Sequence, residues 1–374
     1  MSVPELTWDQ VLSWRMERHL LDRPAGLDPA AVACRLAGIQ AQVASSAAQA
    51  VAVRRAERTD GVDDALGSRT LIRTWAMRGT LHLLRPADAA AFLPLIASAR
   101  SWLTPPWQRE FATAGQMDAI AEAVSAVLPG AELTREELAS AVVEHSGDAS
   151  LGEKLTSGWG ALLKPMAWQG LLCNGTSRGG RVTFTTPSTW TADWIAPSEP
   201  DVAVRTALPA YLAAHGPAAP ETFGQWLLRG ALRRSVTRGW FTSLVDDGSI
   251  APVRVDGETL HARTEDLDAL AAAEPSSRVR LLPAFDQYVL GPGTGDTRIL
   301  APERRKLVSR AGGWIAPVVV VGGRVAGTWK VDGGSLDVEL FSESDLVDRD
   351  ALDAEADVLG DVLGVRLTPS ITRV

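Results

Sequence analysis

The chain has 374 residues, of which 46% are hydrophobic and 22% are charged, and it carries a formal net charge of −8. This length allows several domains with separate cores. No apolar run reaches membrane-spanning length, and the N-terminus MSVPELTWDQ has no signal-peptide organisation. With only two distant cysteines, Cys34 and Cys173, a disulfide-stabilised secreted protein is also excluded, and we expect a cytoplasmic protein with reduced core thiols.

The negative charge is concentrated at the C-terminus. Residues 332–374 hold 11 acidic and 3 basic side chains, and the preceding residues hold 34 of each. The net charge therefore does not exclude a nucleic-acid partner, because local basic clusters decide that question.

The first part of the chain reads as helices followed by a strand. Asp28 and Pro29 form an N-cap with proline in the first turn, and RGTLHLL alternates like a strand over 78–84 before a helix restarts at Pro86. The predicted helices are 7–20, 29–37, 41–55 and 63–73.

Two further units show helices followed by a hairpin. In the first, Thr134 and Glu137 have the spacing of a capping box at a helix start. A further helix is predicted over SGWGALLKPMAWQGLL, with a kink at Pro165. The hairpin tip is predicted at SRGG, followed by the strand RVTFTT. This order is that of a winged helix, which belongs to the helix-turn-helix group of DNA-binding motifs. In the second unit, helices are predicted at 201–215, 221–228 and 231–245, before a hairpin that turns at Asp256–Gly257.

Arginines cluster around the third helix of that last unit. They are Arg229, Arg233, Arg234 and Arg238. Arg234 and Arg238 share a helix face because they are four residues apart. A solvated basic face and a DNA-contacting face are both compatible with this pattern.

From about residue 278 the pattern changes to strands. The runs RVRLLPAFDQYVL, APVVVVGGRVAGTWKV and SLDVELF predict a small barrel or sheet, with Arg324 near the Gly322–Gly323 hairpin tip and an acidic helix near 342–359. The predicted fold class is therefore α+β.

Motifs for cofactor or metal chemistry are missing from the sequence. There is no Walker loop, dinucleotide fingerprint, zinc signature or nucleophile elbow, and GPGTGDTR reads as a loop. The histidines are His19, His82, His145, His215 and His261, in separate segments without metal-ligand spacing, so surface or core positions are expected. We therefore predict no metal and no cofactor.

Two neutral amides, Gln40 and Gln42, stand out in the small, apolar segment LAGIQAQVASSAAQ. Two residues apart on a helix, they would point about 200° away from each other. A break at Gly38 would let both amides face one site. Ordinary helical glutamines are the alternative.

Four segments, LAGIQAQ, RTWAMRGTLHLL, LLPAFDQYVLG and GGRVAGTWK, occur in this order and together resemble the AlkZ-like family of winged-helix DNA glycosylases. The resemblance implies three tandem winged-helix units around a DNA channel (1–105, 106–200 and 201–277), followed by a β-barrel element with the acidic helix (278–374). It makes Gln40 and Gln42 the catalytic Gln-x-Gln motif. It further implies a monomer acting on double-stranded DNA with N7-alkylguanine, in some members on interstrand crosslinks and in antibiotic producers for self-resistance. PGTGDTR stands where relatives have a Tyr-Arg-Asp-Arg-like stretch, so DNA contacts from that loop are not carried over.

The amides suit this reaction because a cationic N7-alkylguanine leaves without a proton. A glutamine carbonyl can position water and face the developing sugar cation. Candidate DNA contacts are Arg233, Arg234, Arg238 and Arg324, together with Arg78, Thr80 and His82, which alternation over 78–84 places on one strand face. A helix-capping Arg78 and a buried His82 are the alternative.

Two other functions compete with a glycosylase. A winged-helix protein could bind DNA without catalysis, as a regulator does. A scaffold that binds another protein through its acidic tail is a third interpretation, with no specific motif behind it.

Overall fold

The computed structural model describes residues 4–22, 26–156, 160–342 and 347–374. The chain divides into two compact units, which we call unit 1 (residues 1–62, 209–226 and 241–374) and unit 2 (residues 63–208 and 227–240). Helix and sheet are mixed, as the predicted α+β class requires.

Unit 1 begins with short elements around the glutamine pair. They are β1 (Glu5–Leu6), α1 (Trp8–Arg18), α2 (Pro29–Arg35), β2 (Ile39–Gln40) and α3 (Ala44–Ala52). Asp28 caps α2 by accepting a hydrogen bond from Ala31 N at 2.7 Å, as predicted. The helix predicted over 41–55 is wrong at its start, because the chain is extended at Gln40 and α3 begins only at Ala44.

Helices predominate in unit 2. Its elements are α4 (Val62–Gly67), β3 (Ile72–Trp75), β4 (Leu81–Leu84), α5 (Pro86–Ala97), α6 (Pro105–Glu110), α7 (Ala114–Val127), β5 (Leu133–Thr134), α8 (Arg135–Ser146), α9 (Ser150–Thr156), α10 (Leu163–Trp168), β6 (Cys173–Asn174), β7 (Thr183–Thr185) and α11 (Pro187–Trp190). Strands β5, β7 and β6 form one sheet, and β3 pairs antiparallel with β4. The predicted capping box of Thr134 and Glu137 is confirmed at the start of α8.

Two predictions in unit 2 are wrong. The helix expected over 63–73 ends at Gly67, because Arg69 takes a left-handed backbone and the β-branched Ile72 and Thr74 continue as a strand. The helix expected around Pro165 is confined to Leu163–Trp168, and residues 157–159 of that prediction lie outside the described residues.

The next three helices are close to their predicted bounds. They are α12 (Pro200–His215), α13 (Pro220–Leu228) and α14 (Arg234–Asp246). The hairpin of β8 (Ile250–Val255) and β9 (Glu258–Arg263) turns at Asp256 and Gly257, which both have positive φ, as a two-residue turn of this kind requires. β1 extends this hairpin into a three-stranded sheet, and α15 (Leu267–Ala271) follows.

A five-stranded sheet organises the C-terminal part of unit 1. The elements are β10 (Val279–Leu282), α16 (Gln287–Leu290), α17 (Arg305–Val308), β11 (Val318–Val321), β12 (Arg324–Asp332), β13 (Ser335–Leu340), α18 (Arg349–Leu363) and β14 (Thr368–Arg373). The strand order is β10-β11-β12-β13-β14. The predicted turn at Gly322–Gly323 is confirmed by their positive φ angles. The predicted acidic helix near 342–359 corresponds to α18, and residues 343–346 of that prediction lie outside the described residues. Strand β14 was not predicted.

Both faces of this sheet are buried, which explains the unbroken valine run in β11. Val318 and Val320 pack with Leu12 and Met16 of α1 on one face. Val319 packs on the other face, against the core that includes α18. Strand side chains alternate between faces, so a sheet covered on both sides requires consecutive apolar residues.

A buried ion pair joins the end of α3 to the segment before α16. Arg54 donates from both terminal nitrogens to the two carboxylate oxygens of Asp286, each at 2.8 Å, and both side chains are 0% exposed. Arg54 also donates to the His19 carbonyl, and Asp286 accepts from Tyr288 N at the start of α16. The pair therefore fixes α3 relative to the residues that follow β10.

Asp286→Ala leaves the Arg54 charge buried without its partner, so we expect the free energy of unfolding to fall by about 3–5 kcal/mol. Urea denaturation measures this change. The matched control is Asp353→Ala, which breaks the exposed pair with Arg349 and should cost no more than about 1 kcal/mol. The double variant Arg54→Met/Asp286→Leu removes both charges and should recover much of the lost free energy of unfolding. An unchanged urea midpoint for Asp286→Ala would show that the ion pair does not stabilise the fold.

Candidate active site

The backbone around the glutamine pair is extended rather than helical. After α2, Ala37 and Gly38 have φ of 54° and 101°, and the chain then enters β2. Gln40 ends this strand, and Gln42 lies in the bend just before Val43, the N-cap of α3. The predicted break at Gly38 is therefore present. The separation of about 200° expected for a helix does not apply, because neither glutamine lies in a helix.

Gln40 presents a buried acceptor. The side chain is 6% exposed, and its Oε1 has no hydrogen-bond partner among the described residues. A buried carbonyl oxygen without a partner is destabilising unless water or a ligand donates to it. Gln42 is exposed, so a sheltered amide lies two residues from a solvent-accessible one.

Gln287 was missed by sequence reasoning. The residue lies in α16 directly after Asp286, is 1% exposed, and has neither an acceptor for Nε2 nor a donor for Oε1 among the described residues. The segment LLPAFDQYVLG carried the available signal, because Gln287 and Asp286 are polar residues inside an otherwise apolar run.

The predicted face of Arg78, Thr80 and His82 is corrected by the structure. A 3-10 turn occupies Met77–Gly79, with Arg78 at φ 57°, so strand alternation begins only at Leu81. Thr80 belongs to this turn, and its hydroxyl donates to the Met77 carbonyl at 3.2 Å. Arg78 is half-buried.

His82 is fully buried in unit 2. Its Nδ1 lies 3.0 Å from the Thr80 carbonyl, which can only accept, so Nδ1 carries the proton. Nε2 has no partner among the described residues, nor has Oγ1 of Thr74, the residue directly opposite on β3. Burial, reinforced by the Arg78 charge, lowers the pKa of His82 to about 3.

The arginines proposed to bind DNA are found in two places. Arg233, Arg234 and Arg238 are all exposed in unit 2; Arg233 precedes α14, Arg234 begins it, and Arg238 lies one turn later. Arg324 begins β12 in unit 1 and forms an ion pair with Asp9 at 2.7 Å, so part of its charge is already compensated.

Histidines that the sequence separates meet in unit 1. The rings of His19 and His215 lie 5.2 Å apart, and burial is the main cause of a pKa of His19 well below its ordinary value.

Across the four described ranges, no group of three or more His, Cys, Asp or Glu side chains could hold a metal ion. Within the same ranges, no helix is long and apolar enough to cross a membrane.

The buried His82 makes stability depend on pH. Between its ordinary value of 6.5 and its folded value of about 3, the unfolded chain binds a proton that the folded chain does not bind. Stability is therefore complete above pH 6.5 and falls as the pH drops through this window. We expect His82→Gln to reduce the slope of unfolding free energy against pH, measured by urea denaturation from pH 7 to pH 4.

Part of the slope should remain in His82→Gln, because His19 and His261 also have lowered pKa values. Exposed His145 provides the control, and His145→Gln should leave the slope unchanged. A wild-type slope in His82→Gln would show that His82 is protonated in the folded protein.

The chain matches the model of the family described as DNA glycosylase AlkZ-like over residues 33–362. It is 43% identical over 366 residues to a Streptomyces sahachiroi protein named interstrand DNA cross-link repair glycosylase, covering 97% of this chain and 98% of that relative. Its structure matches the Streptomyces sahachiroi DNA glycosylase AlkZ with a TM-score of 0.95 and 43% identity, covering 98% of this chain and 100% of that one.

These similarities extend over nearly the whole chain and confirm the family that the four sequence segments resemble. They favour an enzyme over the non-catalytic regulator and the scaffold considered from the sequence. The chain belongs to the AlkZ-like family of DNA glycosylases, which hydrolyse the N-glycosidic bond between a base and its deoxyribose.

Proposed function

We propose that this DNA glycosylase removes cationic N7-alkylguanines from double-stranded DNA, using Gln40 and Gln42 to hold the hydrolytic water. The observation that carries the proposal is the buried Oε1 of Gln40, the first amide of the Gln-x-Gln segment, which has no hydrogen-bond partner in the described part of the chain. Water satisfies such an acceptor by donating a hydrogen bond to it.

The reaction balances without a cofactor. Alkylation at N7 places a positive charge on guanine, so the C1′–N9 bond breaks with its electron pair going to the base, which leaves neutral. The sugar becomes an oxocarbenium-like cation, the held water adds to C1′, and a proton passes to solvent. The amide dipoles orient the water and face the developing positive charge, which is a positioning and electrostatic contribution.

Neutral amides also limit the substrate. A glutamine cannot take a proton as a strong base does, and it cannot donate the full proton that a neutral leaving base needs. Ordinary guanine should therefore not be excised. The name of the Streptomyces sahachiroi relative supports extending the substrate range to interstrand crosslinks.

The proposed architecture follows the family resemblance. Winged-helix units at 1–105, 106–200 and 201–277 line a DNA channel, and residues 278–374 supply the β-barrel element. Helices followed by hairpins, such as α13 and α14 before β8–β9, support this arrangement. We propose a monomer that acts in the cytoplasm, on the DNA of the nucleoid, with Arg233, Arg234 and Arg238 at phosphates and Arg78 near the lesion.

Gln40→Ala and Gln42→Ala should each slow excision while changing DNA affinity only a few-fold. Loss of a positioned polar contact costs on the order of 2–4 kcal/mol of transition-state stabilisation, whereas phosphate binding depends on Lys and Arg. Single-turnover excision from a duplex with N7-methylguanine, scored as abasic sites, measures the first effect. Gln169→Ala is the control, because that exposed amide donates to the Pro165 carbonyl of the preceding helix. Wild-type rates in both site variants would rule out the mechanism.

Replacing Arg233, Arg234 and Arg238 together by Ala should weaken DNA binding and flatten its salt dependence. Each phosphate contact contributes about 0.9 to the slope of log affinity against log salt, so three contacts contribute roughly 2–3. Affinity for an undamaged duplex over a salt series measures the slope. The control is Arg349→Ala, on the acidic helix α18, which should leave the salt slope unchanged. The same slope in both variants would show that the arginines at α14 face away from DNA.

A further inference from the structure

Three exposed cations of unit 1 lack the carboxylate partners that other arginines of this unit have. The paired arginines include Arg278 with Asp22, Arg280 with Glu355, Arg324 with Asp9 and Arg349 with Asp353. In contrast, Arg305, Lys306 and Arg310 are exposed, and none of them has a carboxylate partner in the described part of the chain. Cations that the protein does not compensate attract a negatively charged partner.

The last of these cations begins a tight loop. An isolated β-bridge joins Ser309 to Ile315, and inside it Arg310 N donates to the Trp314 carbonyl at 2.8 Å. The glycine pair 312–313 turns the chain with φ of 70° and 77°. Every residue from Arg310 to Trp314 is exposed. A cation and an indole therefore stand at the two ends of one exposed loop.

The indole of this loop is exposed but held in place. Trp314 is 41% exposed, and among the tryptophans in the described ranges it alone is exposed rather than buried or half-buried. Phe285 contacts it edge to face at a centroid distance of 5.0 Å. Phe285 has φ of 60°, which is unfavourable for a bulky residue and persists only where the surrounding structure enforces it. A fixed ring that is open to solvent can stack on a planar partner.

The two guanidinium groups are anchored in a way that leaves their outer donors available. Nε of Arg305 lies 3.5 Å from the Thr294 hydroxyl oxygen, and Nε of Arg310 donates to the Leu307 carbonyl at 3.0 Å. The terminal nitrogens of both side chains have no partner among the described residues. These nitrogens are the donors that bind phosphate oxygens.

Phosphate-binding cations next to an open ring fit a single DNA strand better than a duplex. Inside a duplex, neighbouring base pairs cover the faces of each base, so a protein ring has no face on which to stack. A single strand exposes both its phosphates and its base faces, and proteins that bind it combine positive charge with aromatic rings. Contacts to a duplex backbone need the cations alone and leave the exposure of Trp314 without a purpose.

We propose that residues 305–314, which we call the basic loop, bind single-stranded DNA. In this site Arg305, Lys306 and Arg310 hold phosphates, and an unpaired base stacks on Trp314. The site uses none of the residues of the Gln-x-Gln segment and needs no alkylated base, so it goes beyond the proposed function. It gives the enzyme a contact with DNA in which base pairing is interrupted.

The first test measures the affinity for a fluorescein-labelled oligo-dT of about 16 nucleotides by fluorescence anisotropy. Trp314→Ala should weaken this binding about tenfold, as loss of one stacking partner does. Its affinity for an undamaged duplex should stay within about twofold of wild type, since a duplex offers the ring no base face. Trp314→Phe should restore most of the oligo-dT affinity. Phe111→Ala, which removes a similarly exposed ring (37%) in unit 2, should change neither affinity.

The second test separates the cations from the ring by salt dependence. Each phosphate contact with a single strand contributes about 0.7 to the slope of log affinity against log salt, so Arg305→Ala/Lys306→Ala/Arg310→Ala should lower the oligo-dT slope by roughly 2. Trp314→Ala should leave this slope unchanged, because an indole neutralises no phosphate. The matched control removes three exposed arginines that have carboxylate partners. It is Arg254→Ala/Arg278→Ala/Arg349→Ala, which should keep the wild-type slope.

A third measurement uses the wild-type protein, so it does not depend on the folding of any variant. Oligo-dT with one 5-iodouracil forms a covalent crosslink on irradiation to an aromatic side chain that stacks on it. We expect mass spectrometry of the digested complex to find this crosslink at Trp314. The same oligonucleotide annealed to its complement should give little crosslink at this residue.

Three results would overturn the proposal. Equal losses of oligo-dT and duplex affinity in Trp314→Ala would assign the basic loop to duplex DNA. Wild-type oligo-dT affinity in Trp314→Ala, or a wild-type salt slope in the triple variant of the basic loop, would show that no single strand binds there. A crosslink to other residues only would remove the stacking contact. None of these measurements involves base excision, so failure of the proposed function would leave them unaffected.

Discussion

Arg54 and Asp286 form the ion pair on which the geometry of unit 1 depends. Arg54 follows α3, which begins two residues after Gln42, and Asp286 lies between the strained Phe285 and the buried amide of Gln287. Because both charges are completely closed to solvent, neither can exchange its partner for water without a large penalty. The pair therefore holds α3 and the segment after β10 in one arrangement.

Neutral polar groups suit a site that must act on a charged substrate. A carboxylate at the buried position of Gln40 would be desolvated, and its pKa would rise toward the neutral form. An amide keeps an acceptor oxygen at every pH and needs no counter-ion. In the proposed function, an alkylated base brings the positive charge that makes it a good leaving group, and the amides have only to place water and oriented dipoles.

The five-stranded sheet is the rigid part of unit 1. Its valines are buried on both faces, so β11 and β12 have little freedom to move. Trp329 lies on β12 with its indole N–H bonded to the Leu282 carbonyl, and Trp314 follows two glycines with positive φ.

Much of the local structure was predictable from the sequence, because it depends on neighbouring residues. The turns at Asp256–Gly257 and Gly322–Gly323 need positive φ, and the Thr134 capping box needs a partner only three residues away. The Gln-x-Gln pair could be found in the same way, as a polar motif in an apolar segment.

Tertiary structure decided the rest. The helix predicted over 41–55 begins only at Ala44, after the strand that ends at Gln40. Arg78 lies in a 3-10 turn, and His82 is buried. Tertiary packing also paired Arg54 with Asp286, which is 232 residues away, and set Trp314 against Phe285. Sequence periodicity reports which residues share a face within one element, but it contains no information on which elements meet. Long-range burial and ion pairing therefore settled the environment of the site.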